Sequence, residues 1–137
     1  MIKIECYNNL VQILEEEITV YRHSLDLIRH EHDILVGSQL DKLLENNRAK
    51  QAMITKLKGL ERIREKRARE LAQVIGLKSE SLKLLEMASS LEFVMGDKLR
   101  TIHATLELLI KRVKENNQKN EVLVQSALAN IKGALEN

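Results

Sequence analysis

From Ile4 the chain sets a residue on one stripe at every third or fourth position for more than thirty residues. The stripe runs Ile4, Tyr7, Val11, Leu14, Ile18, Tyr21, Leu25, Ile28, His32 and Leu35. Alternating steps of three and four are the heptad seam of a helix that packs along its whole length. Glu15, Glu16, Glu17, Arg22, Asp26 and Arg29 fall between those positions as a solvated back face. Gly37 supplies a residue for a left-handed helix end, and Ser38 with Asp41 resembles a capping box for the next helix. The pattern predicts a first helix over about residues 4–36, roughly 50 Å long at 1.5 Å per residue.

A second helix is expected over about 39–75, carried by Leu40, Leu43, Leu44, Ile54, Leu57, Leu60, Ile63, Ala68, Leu71 and Ile75. Its stripe is poorer in the middle, where Asn47, Lys50 and Arg64 fall near the seam. Gly59 should cost it about 1 kcal/mol relative to Ala. Gly76 ends it, and a short helical piece over about 81–87 fills the break that follows. The third long helix is expected over about 90–135, with Ser89 or Ser90 as N-cap and Asp97 as the fallback because Gly96 lies so near the start. Its stripe reads Leu99, Ile102, Leu106, Leu109, Val113, Asn117, Asn120, Val124, Leu128, Ile131 and Leu135. The amides keep the phase of the stripe, and neither Gly nor Pro accompanies them. One continuous helix with a polar layer is the favoured reading, a kink near Asn117 the other.

Two breaks between three long segments give an all-α, up-down-up arrangement: an elongated antiparallel hairpin with a long C-terminal helix packed along it, a three-helix coiled-coil bundle within a single domain, 1–137. Composition supports this. The 137 residues include no Pro, 5 Gly and 2% aromatics, with 31% charged, which is too few turn formers and strand formers for a sheet protein. Few aromatics and few loops also argue against a walled catalytic pocket. A stripe this narrow implies a thin core, and a homodimer could supply more buried area.

Charge and candidate chemistry add limits. A net charge of +2 is no polycation seeking nucleic acid. The lone Cys6 excludes an internal disulfide framework and fits a reducing compartment. The first ten residues carry no signal-peptide pattern, and the longest uncharged stretch, Val122–Ile131, is about half a membrane span. A cytoplasmic protein is expected. His30 and His32 point to different helix faces, His23 and His30 lie about 10 Å apart, and nothing near His103 and Glu107 completes a metal site. The run from Glu61 to Glu70 holds Arg62, Arg64, Lys66, Arg67 and Arg69, but interspersed acids at helical spacing favour a solvated face over a nucleic-acid arm. No catalytic, metal or cofactor site is expected.

The C-terminal segment stands apart. Beyond Asn116, Asn117, Gln118 and Asn120, the apolar residues Val122, Leu123, Val124, Ala127, Leu128 and Ile131 spread over a wider arc than a bundle seam requires. Two readings stay open: the last turns of ordinary core, or a helix that buries one face at home and another on a partner.

The stretch from Leu14 to Glu61, "LEEEITVYRHSLDLIRHEHDILVGSQLDKLLENNRAKQAMITKLKGLE", and the stretch "ENNQKNEVLVQSALANIKGALE" together resemble the FlgN family of flagellar export chaperones. Gly37, Leu40 and Leu43 match the turn into the second helix, with one residue more between Gly37 and Leu40 than the pattern has. Asn117, Asn120 and Leu123 match the motif of the last helix. Gly76-Leu77-Lys78 matches only in part, since Lys78 stands where the family often has Pro. The resemblance implies a cytoplasmic chaperone that holds the C-terminal helical regions of hook–filament junction, or hook-associated, proteins until type III export, keeps them from premature assembly and assists delivery to the export apparatus. It implies client contact through Asn117, Asn120, Leu123, Val124, Ala127, Leu128, Ile131 and Leu135, and no cofactor. A scaffolding coiled coil and a nucleic-acid arm centred on Arg62–Arg69 are the alternatives.

Overall fold

The computed structural model describes residues 2–78 and 83–136. Among these there are four α-helices and no strand: α1 (Ile2–Val36), α2 (Leu43–Val74), α3 (Leu84–Ser89) and α4 (Phe93–Glu136), with a single 3-10 turn at Leu40–Lys42 before α2. The amides at 116, 117 and 120 sit inside α4, which passes through them unbroken. The short helix expected over 81–87 begins at residues outside the described ones; the observed helix starts at Leu84 and includes Ser89.

Helix ends follow from local chemistry, not always as the sequence suggested. At the end of α1 the left-handed residue is Ser38, with φ 55°, rather than Gly37. Gln39 N–H donates to the Ile34 carbonyl at 3.0 Å and Gly37 N–H to that of Asp33 at 2.9 Å, so the last carbonyls are satisfied by a Schellman turn. A Ser held in that conformation is not a helix cap. Neither Gln39 nor Lys42 makes a side-chain cap, and the expected Ser38–Asp41 capping box is absent. At the far end of α2 Gly76 takes the left-handed position, with φ 79°, and Leu77 N–H reaches the Ala72 carbonyl. Ser89 and Ser90 donate their hydroxyls back to the carbonyls of Leu85 and Glu86. They close α3 instead of opening α4.

α1 lies between the other two long helices. It runs antiparallel to α2, with Glu31 facing Lys50 and Glu17 facing Arg64, and parallel to α4, with Tyr7 facing Met95 and Glu31 facing Asn120. α2 and α4 barely touch each other; α3 packs on α4. Being covered from two sides, α1 buries a band wider than one seam: Leu10, Ile13, Val20, Glu31 and Ile34 are buried beside Tyr7, Val11, Leu14, Leu25 and Ile28. Ile4 and His32, expected on the seam, are exposed. Both keep the heptad phase of the buried Val11 and Leu25 but lie near the two ends of α1, and His32 borders an open depression with Asn116 and Lys119 of α4.

The main core gathers the first half of α1, the second half of α2, α3 and the start of α4, around Leu10, Leu14, Leu71, Met87 and Leu99. The inward stripe of α4 then continues through Leu106, Leu109, Val113, Asn116, Asn120, Leu123 and Ala127. This is a strict heptad, whereas the stripe read from the sequence through Asn117, Val124 and Leu128 advances at 3.6 residues. A helix lying along a neighbour keeps its seam at 3.5 residues per turn, and the two readings separate by one position within a few turns. Asn117, Val124, Leu128, Ile131 and Leu135 therefore lie on an exposed flank of α4.

Gly96 lets α3 fold back onto α4, since a Cβ there would sit 2.4 Å from the Ala88 carbonyl oxygen. Gly96→Ala should lower stability by about 1–3 kcal/mol despite the better helix propensity of Ala, because backbone must shift. Gly133→Ala, where a Cβ meets nothing within 4 Å, should be neutral or gain up to about 1 kcal/mol. Urea unfolding of both variants checks the pair; equal effects would mean that α3 does not pack closely on Gly96.

Candidate functional site

Two polar layers interrupt the seam of α1, and each places an acid of α1 opposite a cation of α2. In the distal layer the Glu31 carboxylate accepts from Lys50 Nζ at 3.1 and 3.0 Å and from Asn120 Nδ2 at 2.9 Å. The same Asn120 amide donates to the Ile28 carbonyl at 2.8 Å, and Asn120 is only 2% exposed. One turn away Asn46 donates to the Leu27 carbonyl at 3.0 Å. This layer fixes the register of all three long helices, because no neighbouring residue offers Glu31 the same partners. The weak middle of the α2 stripe is thereby explained: Lys50 and Arg64 occupy seam positions and find carboxylates there.

The proximal layer is less complete. Arg64 donates Nε to Glu61 at 3.0 Å and adds a second bond from Nη2 to the same carboxylate. Its Nε lies 3.7 Å from Glu17 Oε1, too far for a hydrogen bond, and that buried oxygen has no hydrogen-bond partner. Glu17 is 4% exposed. Burial first, and the Glu61 carboxylate second, push the Glu17 carboxyl up to about 7, while hydrogen bonds from Arg64 hold Glu61 below the usual carboxylate range.

α4 outruns its support. With Tyr7 beside Met95 and Glu31 beside Asn120, a constant register sets Val36 opposite about residue 125, so the last ten or so residues, about 15 Å, have no α1 alongside. The residues expected at a client surface divide accordingly. Asn120 is buried in the distal layer and presents nothing outward; Leu123 and Ala127 are half-buried on the inner stripe. Asn117, Val124, Leu128, Ile131 and Leu135 are exposed, Leu128 at 60% and Leu135 at 83%. Val122, also exposed, sits on another face. The inner and outer sets differ by one residue in phase, which sequence spacing alone did not separate.

The basic run of α2 splits in the same way. Arg64 turns inward, Arg67 Nη1 donates to the Asn9 carbonyl at 2.7 Å, and Arg62, Lys66 and Arg69 remain exposed on the outer face. His103 Nε2 lies 3.4 Å from Glu107 Oε1 on an exposed turn of α4. Among the described residues no group of His, Cys, Asp and Glu side chains is placed to hold a metal ion, and no helix is long and apolar enough to cross a membrane.

The proximal layer predicts a pH dependence. Below about 4.5 Glu17 is protonated both folded and unfolded; as pH rises toward about 7 the unfolded chain releases the proton first, so the stability associated with neutral Glu17 is lost. Glu61, whose value is lowered, acts only below this window. Glu17→Gln, which stays neutral, should gain on the wild type by on the order of 2 kcal/mol between pH 4.5 and pH 8. Parallel stability curves for the two proteins in urea titrations across that range would contradict it.

No curated protein and no solved structure matches the chain. A family does: the one described as FlgN protein matches residues 1–137, the whole length. The chain belongs to the FlgN family of flagellar export chaperones.

Proposed function

We propose that this chain is a cytoplasmic chaperone for hook-associated proteins and holds their C-terminal helical regions along the outer apolar face of α4. The observation that carries the reading is the overhang: α4 continues past the end of α1 with Leu128, Ile131 and Leu135 exposed. A row of large apolar side chains at helical spacing, held in water, favours burial against the apolar face of another helix. The client surface is then Val124, Leu128, Ile131 and Leu135, with Asn117 at its inner end and Leu123 and Ala127 at its edge. Asn120 contributes indirectly by fixing where the overhang begins. Covering a client's apolar helical face blocks the same face from self-assembly, which is the chemistry an export chaperone needs.

Co-purification of hook-associated proteins with the full chain, with Leu128→Asp and with a chain ending at Ala127 tests the reading. The Ala127 endpoint keeps the Asn120 layer and removes only the overhang. Both altered proteins should lose at least about tenfold in affinity, with helicity per residue and melting temperature close to wild type. Unimpaired binding by either would remove the overhang from the client site, and unfolding of Leu128→Asp would return it to the core.

A further inference from the structure

Because α2 and α4 barely meet, a trough runs between them with α1 as its floor. Two adjoining depressions of about 210 and 80 Å³ lie along it and share Tyr21. Its walls are Ile54 and Leu57 on α2 and Leu106, Ile110 and Val113 on α4. From Leu106 to Asn117 the α4 wall is about 16 Å long, three turns of helix. Where a four-helix bundle has its fourth helix, this molecule has an open channel with largely apolar walls, lined at the end away from Glu17 by Asn117 and by Lys50, which is paired with Glu31.

One end of the trough is charged and under-neutralised. Glu17 and Glu61 line it together with Arg64, a single guanidinium for two carboxylates. That guanidinium is committed to Glu61 through two hydrogen bonds, leaving Glu17 Oε1 buried and without a partner. A carboxylate so placed is stabilised by a second cation brought in from outside.

We propose that the trough docks an amphipathic helix of a partner protein, about three turns long, which sets a lysine or arginine against Glu17 and Glu61 between apolar contacts. At 100° per residue, Leu106, Ile110, Val113 and Asn117 fall within about 40° of the line through Val124, Leu128, Ile131 and Leu135. The α4 wall of the trough and the exposed face of the overhang are thus one continuous stripe, about 44 Å long. The proposal rests on the chaperone reading for the class of partner and on the trough's own geometry for the place. It adds a selection rule: an entering helix with an acid at the contact position is rejected by two carboxylates, one with a basic residue is retained.

The probe is a fluorescein-labelled synthetic peptide of about fourteen residues with leucines at helical spacing and one mid-stripe lysine, compared with a twin carrying glutamate there. Fluorescence anisotropy with the full chain at pH 8 should show saturable binding of the lysine peptide, at least about tenfold tighter than the twin. The preference should disappear in the double variant Glu17→Gln/Glu61→Gln and persist in Leu128→Asp. No saturable binding, equal binding of the two peptides, or a preference that survives the double variant overturns the proposal. A preference abolished by Leu128→Asp also overturns it, placing the peptide on the overhang and leaving the client reading intact. A preference that follows this pattern in a protein that retains no hook-associated client upholds the trough and removes the client reading. If the wild type sediments as a dimer that the double variant dissolves, the occupant is a second copy of this chain and the proposal fails.

Discussion

The structure depends on α1 being buried from two sides. α2 and α4 barely meet. Each is held by α1, whose buried band from Tyr7 to Ile34 supplies one edge to each neighbour. Burying each such Leu or Ile stabilises by roughly 1.5–3 kcal/mol, so the helix with the most of them sets where the others lie. The open trough is a consequence of the same arrangement: two long helices held mainly by a third leave a gap between themselves.

Packing quality is uneven along that shared helix. The end containing Leu10, Leu14, Leu71, Met87 and Leu99 is closed by four helices and apolar throughout. Toward Val36 the seam admits Glu31, Asn46, Lys50 and Asn120, with only Leu25, Ile28, Ile34 and Leu109 as buried apolar neighbours. Apart from the buried Asn46 Oδ1, which has no hydrogen-bond partner, this layer is satisfied; it stabilises less than Leu but specifies register, since any slip would leave Glu31 without its three hydrogen bonds. The molecule is therefore anchored at one end and aligned at the other. Beyond the alignment layer it has only the bare end of α4.

Much of this was legible in the sequence, with limits that have physical causes. The absence of Pro and the three- and four-residue steps identified long helices, and Gly76 marked the end of the second. The capping signals misled where a Schellman turn moved the left-handed residue from Gly37 to Ser38, and where Ser89 and Ser90 served the helix before them. The phase of α4 was misread by one residue because an isolated helix repeats at 3.6 and a packed seam at 3.5. Hence Asn120, grouped with the client surface, lies inside the bundle, while Asn117 and Leu128 lie outside. The pairing of Glu17 and Glu31 with cations of α2 was out of reach, since no local pattern states which face of α2 returns against which turn of α1.

The proposed function rests on the contrast between the aligned part of α4 and its unsupported end. A helix ordered as far as Asn120 presents its continuation in a fixed direction, so the exposed stripe is displayed rather than collapsed onto the body. Hydrogen–deuterium exchange along α4 in the free protein tests this most directly. The account predicts strong protection of amides from Leu99 through Asn120 and a steep fall across Ala127 to Leu135. Protection of Leu128–Leu135 equal to that of Leu99–Leu109 would contradict it, because the end of α4 would then be core and not a displayed surface.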